Sequence, residues 1–288
     1  MPKDLRATLE MIELHVWPRH GNTASLDLSV ARSTPRRGVG APLLDVGLLV
    51  DDGVATARSI RSDAPRALAF ALGRDRIRGT FGDGPDASFE LGITPLFQRT
   101  GLLLANAEGE ISALGRSFPV HDAMLLLTER RSARRPYAWA RVTVRGEIDE
   151  LPIICIVETA RRRAGSVVLP ELGRMHFYGP GARALPRACA IAPLPLRAEY
   201  GTGRLRASAL APGLRLSLEV DAPPAKTGLF EVVDPSGEAA YAHRALGATA
   251  RLRIVGRRGV VADLTLDGRY EWGARAGDPR VALRAWRG

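Results

Sequence analysis

Apolar and polar residues alternate with a period of two through most of this chain, most clearly over its last quarter. Leu214, Leu216, Leu218 and Val220 alternate with Arg215, Ser217, Glu219 and Asp221. Ala250, Leu252 and Ile254 alternate with Arg251 and Arg253, and Ala262, Leu264 and Leu266 with Asp263, Thr265 and Asp267. Successive side chains of a strand point to opposite faces, so the spacing predicts strands with one wet face. The first strand, residues 9–17, sets Ile12, Leu14 and Val16 against Met11, Glu13 and His15; Leu26, Leu28 and Val30 continue, then residues 43–50. Further strands are predicted at 68–72, 89–93, 102–105, 111–114, 139–145, 153–158, 166–169 and 175–178.

The punctuation agrees. Asp51-Asp52-Gly53 between apolar runs is a hairpin signal, and Gly82-Asp83-Gly84-Pro85 is another turn. A helix competes only over 119–135, where Asp122 could cap the apolar stretch Met124 to Leu127. The basic segment from Arg130 to Pro136 breaks the apolar pattern and marks a domain boundary, dividing the chain into 1–133 and 134–288. The proline-rich segment 182–195 reads as a long surface connection. About fifteen short strands with a turn every ten or so residues predict an all-β protein of barrels or sandwiches. A single large sandwich is the alternative, in which the boundary would mean nothing.

At 288 residues the chain can bury a full core. Its net charge of +10 would suit a polyanion, but the cations are almost all arginine, and abundant Arg, Ala, Gly and Pro reflects biased composition. The clusters at Arg130–Arg135, Arg161–Arg163 and Arg257-Arg258 fall at turns without the stacking aromatics of nucleic-acid readers, so no specific nucleic acid is expected. Cys155 and Cys189 do not form a disulfide framework. No apolar run reaches the length of a spanning helix and no signal peptide opens the chain, which makes a cytoplasmic protein the expectation.

No dinucleotide fingerprint, phosphate loop or serine elbow is present, the five histidines lack metal spacing, and neither cofactor nor metal is expected. The acid–base and aromatic candidates lie together along strands: His121 beside Asp122, His176 with Tyr178, Tyr241 with His243, and Tyr270 with Trp272 around Glu271. Residues two apart share a face, so each aromatic pair would line one surface. Packing aromatics with satisfied polar tips have the same pattern.

Asp234–Arg244, the turn Gly256-Arg257-Arg258-Gly259, Gly268-Arg269-Tyr270-Glu271-Trp272-Gly273 and Asp278-Pro279-Arg280-Val281 together resemble the closing hairpins of the lipocalin-like double-barrel group that includes tocopherol cyclase and carotenoid hydratase relatives. The resemblance covers about a fifth of the chain. It implies two calycin-type antiparallel barrels side by side and an apolar, often isoprenoid, ligand; no catalytic residue carries across. Hydrating or cyclising an isoprenoid requires protonating an alkene, hence an acid in an apolar wall and aromatic faces toward the developing cation. Asp122, Glu271 or Asp263 could supply the acid, His243 an acid–base group, and Tyr241, Tyr270 and Trp272 the faces, with His176, Tyr178 and His121 as further binding candidates. The expected function is binding of a hydrophobic small molecule, with hydratase or cyclase activity as its sharper form. A non-catalytic binder or scaffold of the same fold and a polyanion-binding module are the rivals.

Overall fold

The structure, a computed structural model, describes residues 8–18, 25–34, 43–51, 55–62, 68–81, 87–113, 115–132, 136–164, 167–168, 172–190, 194–201, 203–233 and 239–275. The turn residues 52–53 and 82–85, the stretch 133–135, and the segments 234–238 and 278–281 lie outside them. The protein is all-β, as the alternation predicts, and divides into two compact units, Met1–Arg135 with Phe230–Ala239 and Pro136–Leu229 with Ala240–Gly288.

The first unit is an antiparallel sheet of β1 (Thr8–Pro18), β2 (Ser25–Thr34), β3 (Leu43–Asp51), β4 (Ala55–Ser62), β5 (Leu68–Leu72), β6 (Arg76–Phe81), β7 (Ala87–Arg99), β8 (Leu102–Ala113) and β9 (Arg116–Ser132). Their order is β4-β3-β2-β1-β9-β8-β7-β6-β5, curled into a half-barrel with β4 and β5 at its edges among the described residues. The core on one face gathers Leu14, Val16, Leu26, Leu28, Ile77, Phe89, Leu91, Leu125 and Leu127, the alternate positions the sequence marks as apolar. Residues 119–132, where a helix competes in the sequence, are strand. The reason is two-sided burial: Leu125 and Leu127 join this core while Met124 and Leu126 are buried on the other face, as only a central strand allows. Midway along β9, His121 and Asp122 lie opposite the single residue Glu108, a bulge with Asp122 at φ 45°.

The rest of the chain contains β10 (Ala138–Ile148), β11 (Leu151–Arg161), the short pair β12 (Arg163–Ala164) and β13 (Val167–Val168), β14 (Leu172–Tyr178), β15 (Leu194–Gly201), β16 (Arg204–Ala211), β17 (Leu214–Asp221), β18 (Thr227–Val233), whose residues from Phe230 on belong to the first unit, β19 (Ala239–Gly256) and β20 (Gly259–Arg275). Eight of these, ordered β17-β16-β15-β14-β11-β10-β20-β19, become a closed barrel because β17 also pairs with β19. The two longest strands make closure possible. A register shift between Leu246 and Ala248 leaves Gly247 at φ 67°, and Gly268 on β20 lies so close to β10 that a Cβ there would stand 2.2 Å from the Thr143 carbonyl oxygen. A bulge bends its strand and increases local twist, which lets β19 follow β17 at one end and run past it at the other.

Inward positions interdigitate as one core from Val142, Val144, Cys155 and Val157 round to Leu216, Leu218, Leu252, Ile254 and Tyr270. Tyr270 crosses the interior: its hydroxyl donates to the carbonyls of Gly201 and Arg204, 2.7 and 3.1 Å away, in the hairpin nearly opposite β20 around the barrel. The segment after β14 is not a surface loop. A 3₁₀ turn (Pro180–Ala184) and the single-turn helix α1 (Arg187–Ala190) place Ala182, Leu185 and Cys189 in the barrel core, an i, i+3, i+7 spacing that hides among the prolines. The turn meets the β10–β11 end, where Gly181 abuts the Leu151 carbonyl. Among the described residues no helix is long and apolar enough to cross a membrane.

Gly268→Ala is expected to destabilise the protein by about 1–3 kcal/mol, because backbone rather than a pliant side chain would have to move. Gly92→Ala, whose Cβ would meet nothing nearer than 3.7 Å, should change stability by less than about 0.5 kcal/mol. Urea unfolding of the two variants makes the comparison.

Candidate functional site

The alternation that sends Leu14 and Val16 into the first unit's core sends Glu13, His15 and Trp17 to the opposite face, and these three are buried as well. The β1–β2 register sets His15 directly across from Asp27, and the two side chains meet with Nδ1 2.6 Å from Oδ1, neither with any exposed surface. Continuing outward along this row, Leu49 stands beside Asp27, and Leu126 and then Leu104 beside His15, all buried. A titratable pair thus lies between apolar walls. The row on one side holds Glu13, which accepts hydrogen bonds from the Thr128 hydroxyl at 3.1 Å and from Arg130 Nη2 at 2.8 Å, so its carboxylate is compensated where it sits. On the other side the Trp17 ring lies 5.4 Å from the His15 ring, tilted by 31°.

This arrangement can hold and move a proton. With Nδ1 2.6 Å from the Asp27 carboxylate, the imidazole and the carboxyl are close enough to pass a proton between them. The indole offers a π-face to positive charge developing nearby. Sequence reasoning noted the polar face of β1 but gave His15 and Asp27 no role. The signal was there: pairing the first two strands antiparallel, with Leu14 opposite Leu28, brings His15 opposite Asp27.

The residues singled out in the sequence fall into separate groups. On the inner face of the second unit's barrel, His243 pairs with Trp272, Tyr241 with Ala274 and Ala245 with Tyr270 across β19 and β20. His243 and Trp272 stack with centroids 4.3 Å apart and planes within 5°. Burial pulls the His243 imidazole below its ordinary range, and its Nε2 has no hydrogen-bond partner among the described residues. Tyr241 and His243 are half-buried, at the end of the barrel away from the 3₁₀ turn. Tyr270 and Trp272 are therefore brought together with Tyr241 and His243.

Glu271, one step out of phase, lies on the outer face of β20. It is buried and accepts from Trp139 Nε1 and Arg244 Nε, both at 2.8 Å, and from Arg269 Nη2. Gly273 leaves room for the Trp139 ring, which stands 2.3 Å from where a Cβ would be. Arg141 belongs to the same face; burial lowers its guanidinium, opposed by Glu158 with Oε1 3.3 Å away. His176 and Tyr178 pair with each other on β14, the tyrosine hydroxyl 2.8 Å from Nδ1. His121 and Asp122 are exposed at the β9 bulge in the first unit, and Asp263 is exposed on β20, where two hydrogen bonds from Arg251 hold its carboxyl below the usual range. Both cysteines are buried free thiols pushed up by burial. Among the described residues no group of three or more His, Cys, Asp or Glu is placed to hold a metal.

No protein-family profile and no curated protein sequence matches the chain. Solved structures do. Kievitone hydratase from Nectria haematococca is similar over 96% of this chain and 91% of its own, with TM-score 0.51 and 9% identity. A candidate AttH (NE1406) from Nitrosomonas europaea is similar over 94% and 93%, with TM-score 0.49 and 12% identity. The likeness is one of fold. What the likeness to kievitone hydratase shows is a shared β-barrel architecture.

Two outcomes are expected from this geometry. The His243 pKa is lower in the folded than in the unfolded protein, so acid favours unfolding: stability is lost as pH falls from about 6.5 toward the folded value, and His243→Gln should flatten that limb of a stability-versus-pH curve. Glu271→Gln leaves buried guanidiniums short of a counter-charge and should cost about 3–5 kcal/mol in urea unfolding.

Proposed function

We propose that the chain binds a hydrophobic small molecule and adds water across one of its double bonds, with His15 and Asp27 as the acid–base pair. The observation that carries the reading is their 2.6 Å contact, fully buried between leucines. A His–Asp pair serves stability poorly, because taking both groups out of water costs about as much as their attraction returns. It serves chemistry well, since a group that gives and takes protons works best oriented and shielded from bulk water. Leu49, Leu104 and Leu126 suit an apolar substrate, and an isoprenoid supplies both the hydrocarbon and the double bond. The hydratase-type fold supports this choice of reaction.

In hydration one carbon of the double bond gains a proton and its neighbour gains hydroxide. The His15–Asp27 pair delivers that proton through the imidazole and takes one back from the attacking water, ending as it began, with no oxidant or cofactor required. Trp17 would stabilise positive charge on the carbon skeleton between the two transfers. Arg130 and Thr128 hold the Glu13 carboxyl in place beside the pair.

A second reading, binding without catalysis, is favoured by His243 Nε2, which has no hydrogen-bond partner among the described residues and lies against Trp272 on the barrel's inner face. Apolar sites typically orient a ligand through a few such polar groups.

The two separate by experiment. Wild-type protein and the Asp27→Asn, His15→Gln and His243→Gln variants are purified from the cells that make the protein and examined by native mass spectrometry, and their bound molecules are extracted and identified. The hydration reading expects the first two variants, folded by near-UV circular dichroism, to retain an apolar molecule lighter by one water than the wild-type product, with turnover of that molecule lowered about 10²–10⁴-fold. An identical hydrated molecule from wild type and Asp27→Asn would sink it. Loss of the bound molecule in His243→Gln alone would favour the second reading.

A further inference from the structure

The two hairpin tips at one end of the second unit's barrel are basic and apolar together. The β19–β20 turn carries Arg257 and Arg258, followed by Val260 and Val261, which are 53% and 50% exposed. The β16–β17 turn lies level with it, since Leu214 pairs with Gly256 and Arg215 with Val255, and it presents Arg215 and Leu210, the latter 72% exposed. Neither hairpin contains a carboxylate between Leu205 and Leu218 or between Ala250 and Ala262. Arg215, Arg257 and Arg258 form no ion pair among the described residues, whereas Arg251, Arg204 and Arg145 farther from the tips each have an aspartate partner. The acidic turn Asp149-Glu150 belongs to the neighbouring β10–β11 hairpin, but β10 pairs with β20 only as far as Arg145 opposite Asp267. The arginine tip therefore extends past it by roughly 10–15 Å along the strand.

From this placement we propose that the 210–215 and 257–261 tips form a docking site for an anionic lipid surface, independent of the acid–base reading above. Cations draw the tips to the headgroups, and Leu210, Val260 and Val261 enter the boundary between headgroup and acyl chain. Neither contribution alone gives lasting attachment, and two together do. A nucleic acid would meet the charge but would gain nothing from exposed aliphatic side chains, and no aromatic ring is present in either tip for a base to stack on.

The test is co-sedimentation of the full chain with phosphatidylcholine vesicles, with and without phosphatidylglycerol. Wild type is expected to sediment with the anionic vesicles, less at higher salt, and to stay in solution with the neutral ones. Replacing Arg257 and Arg258 with Gln should lower partitioning about 25-fold, at about fivefold per cation. Val260→Ser with Val261→Ser should lower it about tenfold at unchanged charge. Arg174→Gln with Arg197→Gln, exposed cations elsewhere on the barrel, should lower it far less. The proposal is overturned if wild type fails to sediment with anionic vesicles, or if the Arg174/Arg197 variant loses as much as the tip variant, since binding would then follow the overall charge. It is also overturned if the valine variant binds as wild type while an oligonucleotide displaces the vesicles, which would mark the tips as a polyanion site.

Discussion

An ionisable side chain withdrawn from water has to be met in place by opposite charge or hydrogen bonds, and this constraint shapes both units. Glu271 satisfies it threefold, with Trp139, Arg244 and Arg269 converging on one carboxylate. Glu13 satisfies it with Arg130 and Thr128. His15 and Asp27 meet it with each other, the one contact of the three that sets an imidazole against a carboxylate. The difference between a carboxylate locked by guanidiniums and one facing an imidazole separates a structural cluster from one suited to proton transfer.

Register is what makes those meetings possible. A slip of one residue between β1 and β2 would move Asp27 to the other face and put Leu26 or Leu28 opposite His15. Three features secure the pairing: the leucines and valines of the core on one face, the β1–β9 ladder on the far side, and the polar row itself. In the barrel the corresponding constraint is closure, where the bulge at Gly247 and the close approach at Gly268 let two strands of unequal neighbours join into one wall. Tyr270 then ties β20 to the hairpin across the interior.

Much of the fold was legible because alternation is a local signal. The strands at 9–17, 214–221, 250–254 and 262–267 could be read directly, and so could the pairings of Tyr241 with His243 and of Tyr270 with Trp272 on single faces. What alternation could not say was which face is inside, or that both faces of a strand are buried. Met124 to Leu127 looked compatible with a helix because a doubly buried strand has lost its polar half. Glu271 looked like an acid beside aromatic rings because nothing local reveals that it points away from them. His15 and Asp27 were twelve residues apart on strands whose register only the fold defines, and the 182–189 segment concealed its apolar spacing among prolines.

The central claim is that His15 and Asp27 share a proton in a buried, apolar row. It is tested most directly by nitrogen-15 NMR of the imidazoles in the intact protein, following the nitrogen-bound protons of His15 in wild type and in Asp27→Asn. The account predicts a His15 ring proton that is slow to exchange with water and whose resonance shifts when Asp27, 2.6 Å from Nδ1, becomes Asn. A His15 ring that exchanges its protons with bulk water as a surface histidine does, unchanged by Asp27→Asn, would contradict it.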